Sequence, residues 1–238
     1  MKNLVLSFIV ILLLSTGLLL GQENLNVTQN TAQSMLRAAN ADQSSFRGGT
    51  FFVNPSREIE GSVYLFDTWE NHGVIYLDDK QRFVLNNINI NIERNSFDSR
   101  ISQDSIFIFN TNNIVKFIIN NKTYKNLYSE EKKRIYEIVY KSKDSFVILK
   151  GFKIKLVKGS SNPMVNRENN KYSRSENYFL KQGEDTIKPF KLNRKKILGL
   201  ISEDQERVAK LDQFMKDYKL SYRKSEDVKK GLEYSVLN

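Results

Sequence analysis

One stretch of this 238-residue chain gathers the side chains best suited to chemistry. Residues 64–77, YLFDTWENHGVIYL, hold the only tryptophan, Trp69, and the only histidine, His72. An indole face beside an imidazole can grip a sugar ring or a peptide, so Trp69 and His72 are the ligand-binding candidates. The competing reading is structural. Glu70-Asn71-His72-Gly73 has the composition of a hairpin turn, because Asn and Gly tolerate the positive φ that short hairpin loops demand. Trp69 then closes a strand end and packs on Tyr64, Ile75 or Phe83, while His72 is solvated at the tip. Turn composition favours this second reading.

No catalytic residue emerges. Zinc sites need three or four His, Cys or carboxylate ligands, and the chain has one His and no Cys. A Ser-His-Asp triad would have to use His72, and no nucleophile elbow accompanies it. The phosphate-cradling glycine motifs are missing. Ser-x-x-Lys occurs at Ser129–Lys132 and Ser221–Lys224, but four-residue matches are expected in a chain rich in both residues. Glycoside hydrolysis needs two carboxylates at a fixed separation across a cleft. Asp67, Glu70, Asp78 and Asp79 are near one another, yet turn positions explain them better. A calcium loop at Asp67–Gly73 would lack the length and the final carboxylate. The expectation is a protein that is not an enzyme and has no cofactor or metal.

The elements that must position any site are mostly strands. From Thr50 onward, short runs of Val, Ile, Phe and Tyr recur between Asn, Asp, Gly and Lys turns, among them GVIYL, ININI, SIFIFN, IVKFIIN and KIKLV. Strict alternation in Ile88–Ile92 implies one buried and one wet face. Turn signals every eight to twelve residues indicate an antiparallel meander, which must curl or split to cover its apolar side. Residues 62–157 are therefore expected as antiparallel strands. The polar stretch 158–177, with Pro163, is expected as a long loop, followed by a hairpin of 178–180 with 186–190. Past Pro189 the period becomes helical. Asn193 caps a short helix, Ser202 opens a second by a capping box, and Ser225 starts a third. Val208, Leu211, Phe214, Met215 and Tyr218 share a face of the second. The fold class is α+β: an antiparallel β-meander, as a partly closed barrel or a sandwich, with a small C-terminal helical cap. The domains are 1–21 signal peptide, 22–49 polar linker or docked arm with a weak helix at 31–40, 50–190 β-rich domain and 191–238 helical cap.

Lys2 followed by the apolar run Leu4–Leu20 and small residues has the layout of a secretory signal peptide. Gly17 and Gly21 compete as cleavage points, and Gly21 removes the whole apolar run. The alternative is an uncleaved N-terminal anchor, since the run approaches the roughly 20 residues of a spanning helix. The expected location is the periplasm or cell exterior, with no membrane span after cleavage. Without Cys there is no disulfide framework, nor a need for one at this length.

Charge is uneven. Residues 22–110 carry 7 Lys/Arg against 11 Asp/Glu, residues 111–187 carry 16 against 8, and residues 188–238 carry 13 against 8. A basic second half suits an anionic envelope component as partner. The cations are scattered among acids rather than blocked, so nucleic acid is not expected. Asparagine forms roughly a tenth of the chain, which points to compositional bias as a second source of the basic excess.

The tail sequences NYFLKQGEDTIKPFKLNRKKILGLI and YKLSYRKSEDVKKGLEY carry a resemblance. Tyr178–Lys181 with Gly183 in the turn, Pro189-Phe190-Lys191, Lys219-Leu220-Ser221 before Glu226-Asp227, and Tyr234 are similar to the C-terminal part of a group of exported hypothetical proteins of Bacteroidota-type genomes. The likeness covers the last quarter of the chain well and the preceding strands loosely. It implies export and architecture, and transfers no functional residue. The functional expectation is a non-catalytic binding or structural protein of the envelope. The alternatives are a secreted carboxylate-dependent hydrolase and an accessory factor with a basic face for membrane or glycan.

Overall fold

The computed structural model describes residues 27–28, 49–53, 59–78, 81–129, 132–143, 146–159, 170–183 and 187–237. The expected signal segment 1–21, the helix at 31–40 with most of the arm 22–49, and residues 160–169 of the long polar stretch lie outside the described residues.

The strands are β1 (Val27–Thr28), β2 (Gly49–Val53), β3 (Gly73–Leu77), β4 (Arg82–Leu85), β5 (Ile88–Asn91), β6 (Ser96–Arg100), β7 (Ser105–Phe109), β8 (Ile114–Ile119), β9 (Lys122–Ser129), β10 (Lys132–Lys141), β11 (Phe146–Val157), β12 (Lys171–Gln182) and β13 (Lys188–Phe190). They form a nine-stranded sheet, ordered β1-β4-β3-β8-β9-β10-β11-β12-β13, and a four-stranded sheet, ordered β2-β7-β6-β5. Pairing is antiparallel except for β1 on β4. From β8 to β13, neighbours in sequence are neighbours in space, as the strand-turn rhythm predicts. The excursion β5–β7 leaves the meander and builds the second sheet, so β3 pairs with β8. Neither sheet closes on itself.

Asparagine does much of the turning. β8 and β9 join through Asn120-Asn121, both left-handed at φ 48° and 63°, the conformation a two-residue type I′ turn requires. Asn87 and Asn95 turn the corners of the small sheet the same way, at φ 55° and 58°. Part of the asparagine excess thus fills positions that few other side chains accept.

The two sheets bury a common core. Phe97 of β6 stacks on Phe117 of β8 with ring centroids 3.3 Å apart, and Ile75, Ile88, Phe107 and Ile119 are fully enclosed around them. Each such side chain contributes about 1.5–3 kcal/mol of transfer free energy.

Three expectations are corrected. Residues 64–69 are not the first strand of a hairpin. The hairpin is formed by β3 with β4 instead, and Tyr64 bridges Asn91 on the edge of β5. The alternation in Ile88–Ile92 does not leave a wet face. Ile88 and Ile90 enter the core and Ile92 is half-buried, but Asn89 and Asn91 are buried as well. The segment before Asn71 covers them, and Asn89 accepts from Phe66 N and donates to Phe66 O and Thr68 O. A buried amide is stable only when partnered in this way. Finally, 171–177 is strand rather than loop, because Lys171–Gln182 pairs residue for residue along β11.

The helices are α1 (Arg194–Gly199), α2 (Gln205–Asp217) and α3 (Ser225–Leu237). Asn193 caps α1 by accepting from Lys196 N. α2 starts later than the Ser202 box predicts: Asp204 accepts from Arg207 N, while the Ser202 hydroxyl donates to Gly199 O. Leu211 and Met215 of the expected apolar face are buried, whereas Tyr218 is 67% exposed. Together the helices cover Val139, Tyr140, Phe146 and Ile148 with Ile197, Leu211, Val228 and Leu232. No helix of the described residues is long and apolar enough to cross a membrane.

Candidate functional site

Trp69 and His72 have different neighbours. Trp69 is half-buried, its ring edge-on to Tyr64 at 4.6 Å between centroids, with the Arg100 guanidinium 4.5 Å above its face. His72 is exposed, and its Nδ1 lies 2.7 Å from Asn86 Oδ1. Between them Asn71 is buried, donating to Thr68 O and accepting from Asn120 Nδ2. Asp67 is ion-paired to Arg174, Glu70 and Asp78 are exposed, and Asp79 lies outside the described residues. Among the described residues, no group of three His, Asp or Glu could hold a metal.

Beside Tyr64, Asp98 is fully buried. Burial pushes its carboxyl above the usual range, against the pull of the Ser96 hydroxyl and the Arg94 guanidinium that bond it. Enclosure keeps a substrate from reaching it.

Charge also sits between the two apolar cores of the large sheet. Tyr124, Glu137, Lys150 and Tyr178 are successive cross-strand partners from β9 to β12. Glu137 and Lys150 are 5% and 6% exposed. Lys150 Nζ lies 3.6 Å from Glu137 and 3.4 Å from Glu176. Lys122 Nζ lies 3.5 Å from Glu137 and 3.0 Å from Glu226 of α3. Burial, with Glu137 adding its charge, pushes the Tyr124 hydroxyl up. The Lys122 bond holds Glu226 below its ordinary value. Each carboxylate here has a lysine partner, so the row ties α3 to the sheet.

An open site lies where two strands part. β10 and β11 pair only from Tyr136↔Gly151 to Lys141↔Val147. Beyond that, residues 132–135 stay with β9 and residues 152–157 stay with β12. The strands splay into a wedge of about 500 Å³, closed on one side by the connection after β5. Asn95 in that connection accounts for the parting. Its Nδ2 donates to Lys133 O at 2.9 Å and its Oδ1 accepts from Ile135 N at 2.8 Å, so it takes the edge groups a neighbouring strand would use. Among the described residues, nothing bonds the backbone groups that residues 152–157 turn away from β12.

Register sorts the lining into two faces. Continued past Tyr136↔Gly151, it sets Arg134 opposite Lys153 and Lys132 opposite Lys155, so four cations share one face. Their cross-strand partners on the outer strands are Leu127, Ser129, Ser175 and Ser173, none of them an acid. The other face carries Ile135, Phe152, Ile154 and Leu156, with Lys133 opposite Ile154 and its ammonium bonded to Asn112, and Leu156 is 46% exposed. Glu93 is the one acid among the described residues that line the wedge.

No family model, no curated protein and no solved structure matches this chain. The geometry alone carries the functional reading. The wedge residues were not singled out from the sequence, although a signal was there: Lys153-Ile154-Lys155-Leu156 alternates cation and apolar residue, which on a strand separates them onto two faces.

Proposed function

We propose that this is a non-catalytic binding protein that acts outside the cytoplasm and takes its partner into the wedge between β10 and β11. The parting of these strands over an apolar face, with cations on the other side, carries the reading. A largely apolar cavity with a few convergent polar groups is the default binding site of a domain. Export is supported by Lys2, the Leu4–Leu20 run and Gly21. The scaffold suits a sandwich better than a barrel, since its two sheets face each other across the Phe97–Phe117 core. The test is protein recovered from its native envelope, as wild type and as Leu156→Glu. Leu156 is half exposed, so the variant should fold. Mass spectrometry should find a component retained by wild type and lost from the variant, and a mature chain beginning at Gln22. Identical retention by both proteins would overturn the site, and an intact Met1 start would restore the anchor.

A further inference from the structure

We infer that the wedge binds an extended acidic polypeptide segment, which adds as a strand to the open edge of β11 and alternates acidic with apolar residues. This rests on the wedge being the binding site. The edge itself is the strongest argument. Phe152–Val157 is held in strand geometry by its full ladder with β12, while its other side is unpaired among the described residues. An exposed strand edge presents N–H and C=O groups that a second extended chain can satisfy. The β10 edge cannot compete, because Asn95 occupies the groups of Lys133 and Ile135. The span of six residues fits a ligand segment of about the same length, roughly 20 Å.

Side-chain alternation then sets the ligand's composition. A strand laid along β11 turns successive side chains to opposite faces. One set meets Lys153 and Lys155, with Lys132 across the gap; the other set meets Ile154 and Leu156, the Lys133 ammonium on that side being bonded to Asn112. Opposite charges paired across strands are favourable and like charges are not, so the first set is Asp or Glu and the second is apolar. A phosphate or sulfate polymer, or an anionic lipid surface, would use the cations. It would leave the β11 edge and the apolar face unsatisfied, so the observations favour polypeptide.

The probe is a fluorescein-labelled peptide of eight residues alternating Glu and Val, titrated into the purified protein by anisotropy. It should bind, and its Lys/Val counterpart should not. Methylating every second backbone nitrogen, on the side that pairs with β11, should weaken binding at least tenfold. Lys153→Glu/Lys155→Glu should weaken it similarly. Lys191→Glu/Lys195→Glu, an equal charge change at exposed positions near α1, should not. Equal affinity of the methylated peptide would overturn strand addition, leaving charge alone. Binding of heparin, duplex DNA or phosphatidylglycerol vesicles at Lys153 and Lys155 without any peptide binding would overturn the polypeptide. If the peptide fails while a Leu156-dependent component is still recovered from the envelope, this inference falls and the binding site stands.

Discussion

Trp69 and His72 are three residues apart in the chain and unlike in what holds them. The Trp69 ring spreads over Tyr64 and under Arg100, so truncating it removes an aromatic pair and a cation–π contact as well as buried area. The His72 ring bonds only the exposed Asn86 amide among the hydrogen bonds described, and its other bond, from Asn120 N to the His72 carbonyl, does not depend on the side chain. His72→Ala should therefore shift stability by no more than about 0.5 kcal/mol. Trp69→Ala should cost about 2 kcal/mol, below the 3–5 of a fully buried ring because this one is half-exposed. Urea midpoints of the two variants, measured side by side, check both values. Packing of Trp69 on Tyr64 was legible in the sequence, since the two are close in the chain. Its contact with Arg100 was not, because β6 reaches Trp69 only through the second sheet. Asn89 makes the same point. Its alternation with isoleucine reads as a solvent face, and only the covering segment turns it into a buried amide, bonded to three backbone groups of that segment.

At the scale of elements, the helices show how a single carboxylate can join two of them. Asp212 on α2 accepts from Arg194 at both oxygens, and from Lys216 and Tyr222. These bonds, Arg194 first, hold its carboxyl far below the usual carboxylate range. A pKa lowered on folding contributes stability that is full above the unfolded value, about 3.9, and is lost as pH falls toward the folded one. The α1–α2 seam should therefore weaken below about pH 4. Asp212→Asn should lower the denaturant midpoint near neutral pH and flatten the acid limb, the two proteins converging in acid. Equal midpoints near neutral pH would show that the bonds contribute nothing. Helix periodicity and the Asn193 cap were legible. The start of α2 was not, because Ser202 and Asp204 are both good caps and the way α1 ends decides between them.

For the whole molecule, the helical tail and the large sheet share one core, so neither face is complete without the other. A chain ending at Phe190 would expose Val139, Tyr140, Phe146 and Ile148, a contiguous apolar patch of a kind that stable monomers rarely show. Soluble yield should collapse, or the remaining protein should bind a hydrophobic dye strongly. A monomeric truncate with an unchanged near-ultraviolet spectrum would show that the sheet stands alone. What the sequence by itself determined is local. Period-2 runs made the strands, Asn and charged turns separated them, and a change to helical period marked the tail. Those features depend on neighbours within a few residues. Tertiary structure decided where β5–β7 leave the meander, which side of β5 stays dry, and where β10 and β11 part. Alternation establishes that a strand has two faces and two edges. What covers each of them is set by pairings tens of residues away: Asn95 on Lys133 and Ile135 shuts one edge of the wedge, while among the described residues nothing bonds the facing edge of β11.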